Sequence, residues 1–293
     1  MAFDLGILST RVLTSDGAWG TELDKLGCPP GFCRERWNLD RPDAVRQVAA
    51  AYVAAGSQII LTNTFSGNRI ALDKHGLGDQ VAAINRAGAE ISKDAAGDAA
   101  AVFASMGSTG KMVMMDEITS QALTELFAEQ AEALAAGGAD AIVIETMTEL
   151  AEAVAALHGA KRATDLPVVV SMTFDSGPDR LATVMGTTAD LAARELTAGG
   201  ADAVGCNCGM GIEHYVKVVE ALAAATDVPI WAKPNAGLPE LIDGRVVYKE
   251  TPEEFAAHVP ALVAAGARVV GGCCGTTPDH VRAIRSAIAG IKT

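Results

Sequence analysis

The chain has 293 residues with 36 acidic and 23 basic side chains, a formal net charge of −13 at pH 7. An acidic surface repels phosphate backbones and argues against a nucleic-acid binder, while 49% apolar and 20% charged residues argue against disorder. The length accommodates two average domains or one α/β barrel of roughly 250 residues, and can bury a large core without disulfides.

The opening segment, Met1-Ala-Phe-Asp-Leu-Gly6, has no basic stretch followed by a long apolar one, so no export signal is read. No run approaches the ~18 uninterrupted apolar residues of a membrane span. A cytoplasmic protein without a membrane partner is expected.

Short apolar runs rich in β-branched residues recur near residues 12–16, 57–62, 101–106 and 141–145, then near 167–173, 202–207, 228–233 and 268–272. They are continuous rather than alternating, as parallel strands buried on both faces require. Ala-rich helical stretches separate them. Residues 117–136 space Ile118, Leu123, Leu126, Phe127 and Leu134 among Glu and Gln. Thr251-Pro252-Glu253-Glu254 reads as a capping box with proline at the first helical position, and Thr277-Pro278-Asp279 opens the last helix in the same way. Small-residue turns such as Ala55-Gly56, Gly137-Gly138, Gly199-Gly200 and Ala265-Gly266 return the chain to the next strand. Eight strand–helix units predict an α/β fold, a single (β/α)8 TIM-type barrel. An open doubly wound sheet is the alternative, but no Gly-x-Gly-x-x-Gly turn follows the first strand to favour it. With no linker or composition break, residues 1–293 are expected to form one domain.

In such a barrel the chemistry lies at the carboxyl ends of the strands. Those ends supply Asp16-Gly17-Ala18, Thr62-Asn63-Thr64, Met106-Gly107-Ser108, Glu145-Thr146, Asn207-Cys208, Asn235-Ala236-Gly237 and Cys273-Cys274. Six cysteines, at 28, 33, 206, 208, 273 and 274, are too sparse for a disulfide framework. Adjacent strand residues point to opposite faces, so Cys273 and Cys274 reach one ion only where the chain leaves the strand. Gly271-Gly272 and Gly275 supply that freedom. Three protein ligands and an open position describe a catalytic zinc site; four closed thiolates describe a structural one. Cys206, two residues from Cys208 and able to share its face, keeps the structural reading open. So does the reading of buried cysteines as small hydrophobes.

Cys28-Pro-Pro-Gly-Phe-Cys33 reads as a loop whose cysteines have no function. None of His75, His158, His214, His258 and His280 forms a pair at i, i+4, and His280 is expected at the surface. Asp73-x-His75-x-x-Gly78 fits the pattern by which cobalamin modules ligate cobalt, but it lies between the second and third strands without room for that module and is read as coincidence. Glu145 and Asp16 each read as an ammonium partner or a helix cap. With the backbone N–H groups of Gly17 to Thr21 to hold a carboxylate, the rim suits an amino acid.

Asp16-Gly-Ala-Trp-Gly-Thr21, Thr62-Asn-Thr-Phe65, Gly205-Cys-Asn-Cys208, Pro234-Asn-Ala-Gly237 and Gly271-Gly-Cys-Cys-Gly-Thr276 together resemble the homocysteine S-methyltransferase family over nearly the whole chain. Ser108-Thr-Gly-Lys111 is most similar to the homocysteine-binding module of cobalamin-dependent methionine synthase. The resemblance implies that Cys208, Cys273 and Cys274 hold Zn2+, with Asn235 near the metal and donating an oxygen when substrate is absent. It implies that Asp16 and Glu145 anchor the homocysteine amine, with Gly17, Ala18, Thr21, Asn63, Thr64, Ser108 and Asn207 around the substrate. Homocysteine would then react as a zinc-bound thiolate, without a separate protein base, to give methionine. The favoured methyl donor is a methylcorrinoid (cobalamin) on a separate corrinoid protein. S-methylmethionine, S-adenosylmethionine and betaine are alternatives, as are a different thiol and the reverse half-reaction. A binding protein with a closed four-cysteine zinc and a metal-free barrel lyase are the readings from other classes. Two departures from the subgroup are Leu61, where an acidic residue often precedes Thr-Asn-Thr-Phe, and the absence of folate and cobalamin modules from the sequence.

Overall fold

Side chains that alternate along each strand divide between two layers, and this division places the polar residues described below. The computed structural model describes residues 3–242 and 245–291; Met1 and Ala2, which open the segment read for an export signal, lie outside them. The strands are β1 (Leu13–Thr14), β2 (Ile59–Ile60), β3 (Ala101–Met106), β4 (Ala141–Met147), β5 (Val168–Met172), β6 (Ala203–Cys208), β7 (Ile230–Pro234), β8 (Glu240–Ile242), β9 (Arg245–Val247) and β10 (Ala267–Val270). Eight of them form one parallel sheet in the order β1-β10-β7-β6-β5-β4-β3-β2. A parallel bridge between Ser15 and Ile59, with Gln58 N–H donating to Thr14 O at 2.8 Å, joins β1 to β2. The protein is a single (β/α)8 TIM-type barrel, and every one of the eight apolar runs contributes a strand.

Among the described residues, eight helices follow the barrel strands in turn: Pro42–Ala54, Val81–Ala96, Ser120–Ala136, Leu150–Ala163, Ala189–Ala198, Ile212–Ala223, Pro252–Ala264 and Pro278–Ala289. The third begins at Ser120 rather than at 117, because the Thr119 hydroxyl accepts from Ala122 N–H and caps it there. The capping box at Thr251 forms as expected. His280 differs from expectation. It is buried, its Nδ1 accepts from Thr277 N–H at 3.2 Å, and its Nε2 lies 3.0 Å from Glu250 O. The antiparallel β8–β9 hairpin was not expected: its three-residue strands are too short to show a period. No helix among the described residues is long and apolar enough to cross a membrane.

Leu13, Ile59, Phe103, Val143, Val169, Ala203, Trp231 and Val269 point into the barrel and pack together, with Leu8 and the partly buried Phe3, Leu5 and Ile7 joining the same cluster. Phe103 stacks on Trp231 with ring centroids 5.7 Å apart. The alternate residues, among them Ile142, Ile144, Val170, Val204 and Cys206, pack outward under the helices. A period of two then carries Glu145, Ser171, Asn207 and Lys233 into the upper barrel, two or four residues beyond Val143, Val169, Ala203 and Trp231.

Gly205 lies where β6 passes closest to β7: a Cβ there would stand 2.1 Å from Trp231 O. Gly205→Ala must push the two strands apart. A loss of about 2–3 kcal/mol is expected, read as a lower midpoint in urea denaturation.

Candidate functional site

Each thiol is delivered by the end of a strand. Cys208 closes β6, and Cys273-Cys274 follow β10, with β7 between those two strands. Cys208 has a left-handed backbone with φ of 63°, which breaks the strand alternation and turns its sulfur toward the vicinal pair. Cys206 keeps the alternation and stays in the helix-covered core. The two therefore do not share a face, and Cys208, Cys273 and Cys274 gather without Cys206. The glycines around the pair also differ from expectation. Gly271 and Gly272 are required for space, since a Cβ would stand 2.7 Å from Asp16 O or 2.4 Å from the Thr276 side chain. Gly275, at φ of 82°, is the one that turns the chain.

The three ligand atoms lie within 4.8 Å of one another, with Cys208 Sγ 3.1 Å from Cys273 Sγ and 3.9 Å from Cys274 Sγ. Tetrahedral zinc with Zn–S near 2.3 Å would hold its sulfurs ~3.8 Å apart, so the donor set fits that ion in type and spacing. None of the three is in a disulfide. The Cys274 thiol is pushed down to about 3 by hydrogen bonds from Cys208 and then Cys273. Cys208 is held well above the usual thiol range, because its proton is shared first with Cys273 and then with Cys274. Such a cluster keeps a thiolate while retaining protons that a dication would displace.

Two asparagines hold the sulfur-bearing loops. Asn235, at the end of β7, donates from Nδ2 to Gly209 O at 2.9 Å and accepts at Oδ1 from Cys274 N–H at 3.0 Å. The oxygen expected to face a metal thus has a backbone partner, and Asn235 ties one cysteine loop to the other. Asn207 accepts at Oδ1 from Thr146 N–H (2.8 Å) and Ser171 Oγ (2.7 Å), and donates to Thr146 Oγ1 (2.7 Å). Its Nδ2 also lies 3.8 Å from Cys273 Sγ. These bonds hold Thr146 in the left-handed region at φ of 62°, where a β-branched residue is strained.

A cavity of about 510 Å³ opens above the sulfurs. Of the residues expected around substrate, Gly17, Ala18, Thr21, Asn63 and Glu145 border it. Thr21 Oγ1 is buried there without a hydrogen-bond partner. Asp16, Thr64, Ser108 and Asn207 do not border it, and each has another use. Thr64 Oγ1 donates to Ser105 O, Ser108 Oγ donates to Glu152, and Asn207 clamps Thr146. Asp16 is fully buried and bonded to Lys233, to Trp19 Nε1 and to Leu61 N–H. Ala18 N–H donates to Thr276 Oγ1 at 3.2 Å, so it is not free for a substrate carboxylate.

The cavity wall also holds residues to which the sequence reading gave no substrate role: Trp19, Phe65, Thr146, Lys233 and Cys33. Lys233 had a usable signal, since it shares the inward parity of Trp231. Cys33, read as a loop cysteine without function, is buried, with Sγ 3.4 Å from Glu35 Oε2, and burial first among several causes pushes it up to about 11. Glu145 accepts from Ser105 Oγ at 2.5 Å, and burial pushes its carboxyl up to about 7.

Residues 13–288 match the family model described as homocysteine S-methyltransferase. The chain belongs to the homocysteine S-methyltransferase family. Among its relatives are the methionine synthases of Mycobacterium tuberculosis, 31% identical over 98% of this chain, and of Mycobacterium leprae, 31% identical over 97%. The chain spans about a quarter of the length of these relatives, 25% in each case. The solved structure of the homocysteine methyltransferase MmuM from Escherichia coli, metallated form, aligns with a TM-score of 0.79 at 22% identity, covering 96% of this chain and 98% of that one. Its apo form gives 0.75 at 24% identity, covering 96% and 98%. These likenesses establish the shared barrel.

Glu145 carries a testable cost. Its folded carboxyl titrates near 7 against an ordinary value of 4.5, so the folded state binds the extra proton between those limits. Stability therefore falls as pH rises from 4.5 to about 7. In metal-free protein, Glu145→Gln should be more stable than wild type at pH 8, by up to about 3 kcal/mol, and the gap should vanish near pH ~4. Thermal melts across that range check it.

Proposed function

We propose that this chain, acting as one unit over residues 1–293, is a zinc-dependent S-methyltransferase that methylates the thiol of homocysteine to give methionine. One observation carries the reading: three convergent thiols floor a cavity whose wall presents a carboxylate and an unpartnered hydroxyl. Cys208, Cys273 and Cys274 would hold the ion. When bound, zinc supplies the Lewis acidity that keeps a substrate thiol deprotonated at neutral pH, where a free thiol near pKa ~8.5 is mostly protonated. Asn235 and Asn207 fix the loops that carry the three sulfurs. Glu145 receives the substrate ammonium and Thr21 Oγ1 donates to its carboxylate. Trp19 and Phe65 cover the cavity against water. A new S–CH3 bond forms as the bond from methyl to its donor breaks, the electron pair leaving with the donor. No side chain need act as base.

The donor assigned by this reading is a methylcorrinoid carried by a separate protein. The Ser108–Lys111 resemblance supports it, and so does the rim of the barrel. Met112, Met114, Met115, Val184 and Leu238 are exposed on loops that follow β3, β5 and β7, and apolar side chains around a mouth suit a macromolecular partner.

Cys273→Ala is expected to lose bound zinc, read by metal analysis, and at least ~10²-fold of the transfer rate. Full turnover in a zinc-free variant would refute the mechanism. Purified chain should methylate homocysteine with methylcobalamin. Turnover with S-methylmethionine, S-adenosylmethionine or betaine, and none with methylcobalamin, would reassign the donor.

A further inference from the structure

We propose that Lys233 permanently occupies the ammonium place on Asp16, so that a substrate amine is recognised by Glu145 alone. The proposal rests on the thiol-methylation reading above and concerns how this chain selects its thiol.

Asp16 has no capacity left. An ionised carboxylate offers about four acceptor positions. Oδ1 pairs with Lys233 Nζ and accepts from Ser15 Oγ at 3.3 Å. Oδ2 accepts from Trp19 Nε1 and from Leu61 N–H, each at 2.7 Å. These donors come from β7, from the β1 end and its loop, and from the residue after β2, so the barrel itself supplies the whole shell.

Lys233 stands between Asp16 and the cavity. It borders the cavity although its side chain is 2% exposed, whereas Asp16 is 0% exposed and does not border it. Nζ also lies 3.5 Å from Ser15 Oγ and 5.9 Å from the Trp231 ring centroid. For a substrate ammonium to reach Asp16, Lys233 would have to leave, stranding one buried charge for each new pair made.

Glu145 has the opposite accounting. Oε1 accepts from Ser105 Oγ, and Oε2 receives no hydrogen bond among the described residues. Its side chain borders the cavity. Of the other carboxylates that border the cavity, Asp24 pairs with Arg34, and Glu35 accepts from Ser66 N–H and Cys33 Sγ, so Glu145 keeps the unused oxygen that suits one ammonium group. Lys233 is thus a specificity-determining residue: it converts a possible two-carboxylate ammonium site into a one-carboxylate site.

Isothermal titration calorimetry on the zinc-loaded full chain tests this with L-homocysteine and with 4-mercaptobutanoate, which lacks only the amine. Wild type should prefer homocysteine by at least ~10-fold, and Glu145→Gln should cut the preference below ~3-fold. The double variant Asp16→Asn/Lys233→Met, which neutralises both partners together, should keep the preference within ~3-fold of wild type. Loss of the preference in that variant, with full zinc occupancy and an unchanged circular dichroism spectrum, overturns the proposal. If the double variant does not fold, a crystal structure of wild type with L-homocysteine decides. The amine on Glu145 supports the proposal, and the amine on Asp16 with Lys233 displaced overturns it. A wild type that binds neither thiol overturns the functional reading and this proposal with it. Equal binding of the two thiols overturns the amine assignment alone.

Discussion

Neighbouring strands in a sheet lie about 4.8 Å apart, so β6 and β10, separated by β7, start roughly 10 Å from each other. Bringing their thiols within 4.8 Å requires both chain ends to lean across the end of β7. The molecule meets that requirement with backbone geometry: a left-handed residue at Cys208, a left-handed glycine at Gly275, and close approach at Gly271 and Gly272. Asn235 stands at the end of the intervening strand and bonds to the loop on each side. Crowded sulfurs repel as thiolates and share protons as thiols, a conflict that a bound dication would resolve.

The same constraint organises the charges around the cluster. Asn207 is wedged between Thr146 and Cys273, so the strained residue beside Glu145 is held by the strand that bears Cys208. The wall carboxylate and the sulfur floor are therefore not independent parts. Lys233, on the strand between the two sulfur-bearing ones, neutralises Asp16 from within. One barrel strand thus contributes a clamp through Asn235 and a counter-charge through Lys233.

Much of this was legible in the sequence, for identifiable reasons. Continuous apolar runs give away buried parallel strands, and all eight appeared where expected. The vicinal cysteines and Cys208 stand at strand ends on one rim, and the expected convergence of their thiols is what the fold gives. What the sequence concealed were contacts that depend on a single dihedral angle or on competition for a partner. Cys206 and Cys208 look equivalent until φ at Cys208 separates them. Asp16 and Ser108 reach the right end of the barrel, but Lys233 and Glu152 claim them first. His280 looks like a surface residue of a helix start, yet it is buried and its ring accepts from the N–H of the N-cap residue Thr277. Sequence position says which rim a side chain can reach; it does not say which donor is already there.

The N-terminal segment has a kinetic consequence. Phe3, Leu5, Ile7 and Leu8 pack against the inward-facing residues and stopper the amino end of the barrel, leaving the pocket to be served from the opposite end. Whatever enters or leaves the cavity must then use that one doorway. A bulky carrier seated over that doorway would trap whatever small molecule lay beneath it. On the proposed reading such a vessel would impose a queue: the small acceptor first, then the carrier over it, with the methylated product released only after the carrier has departed.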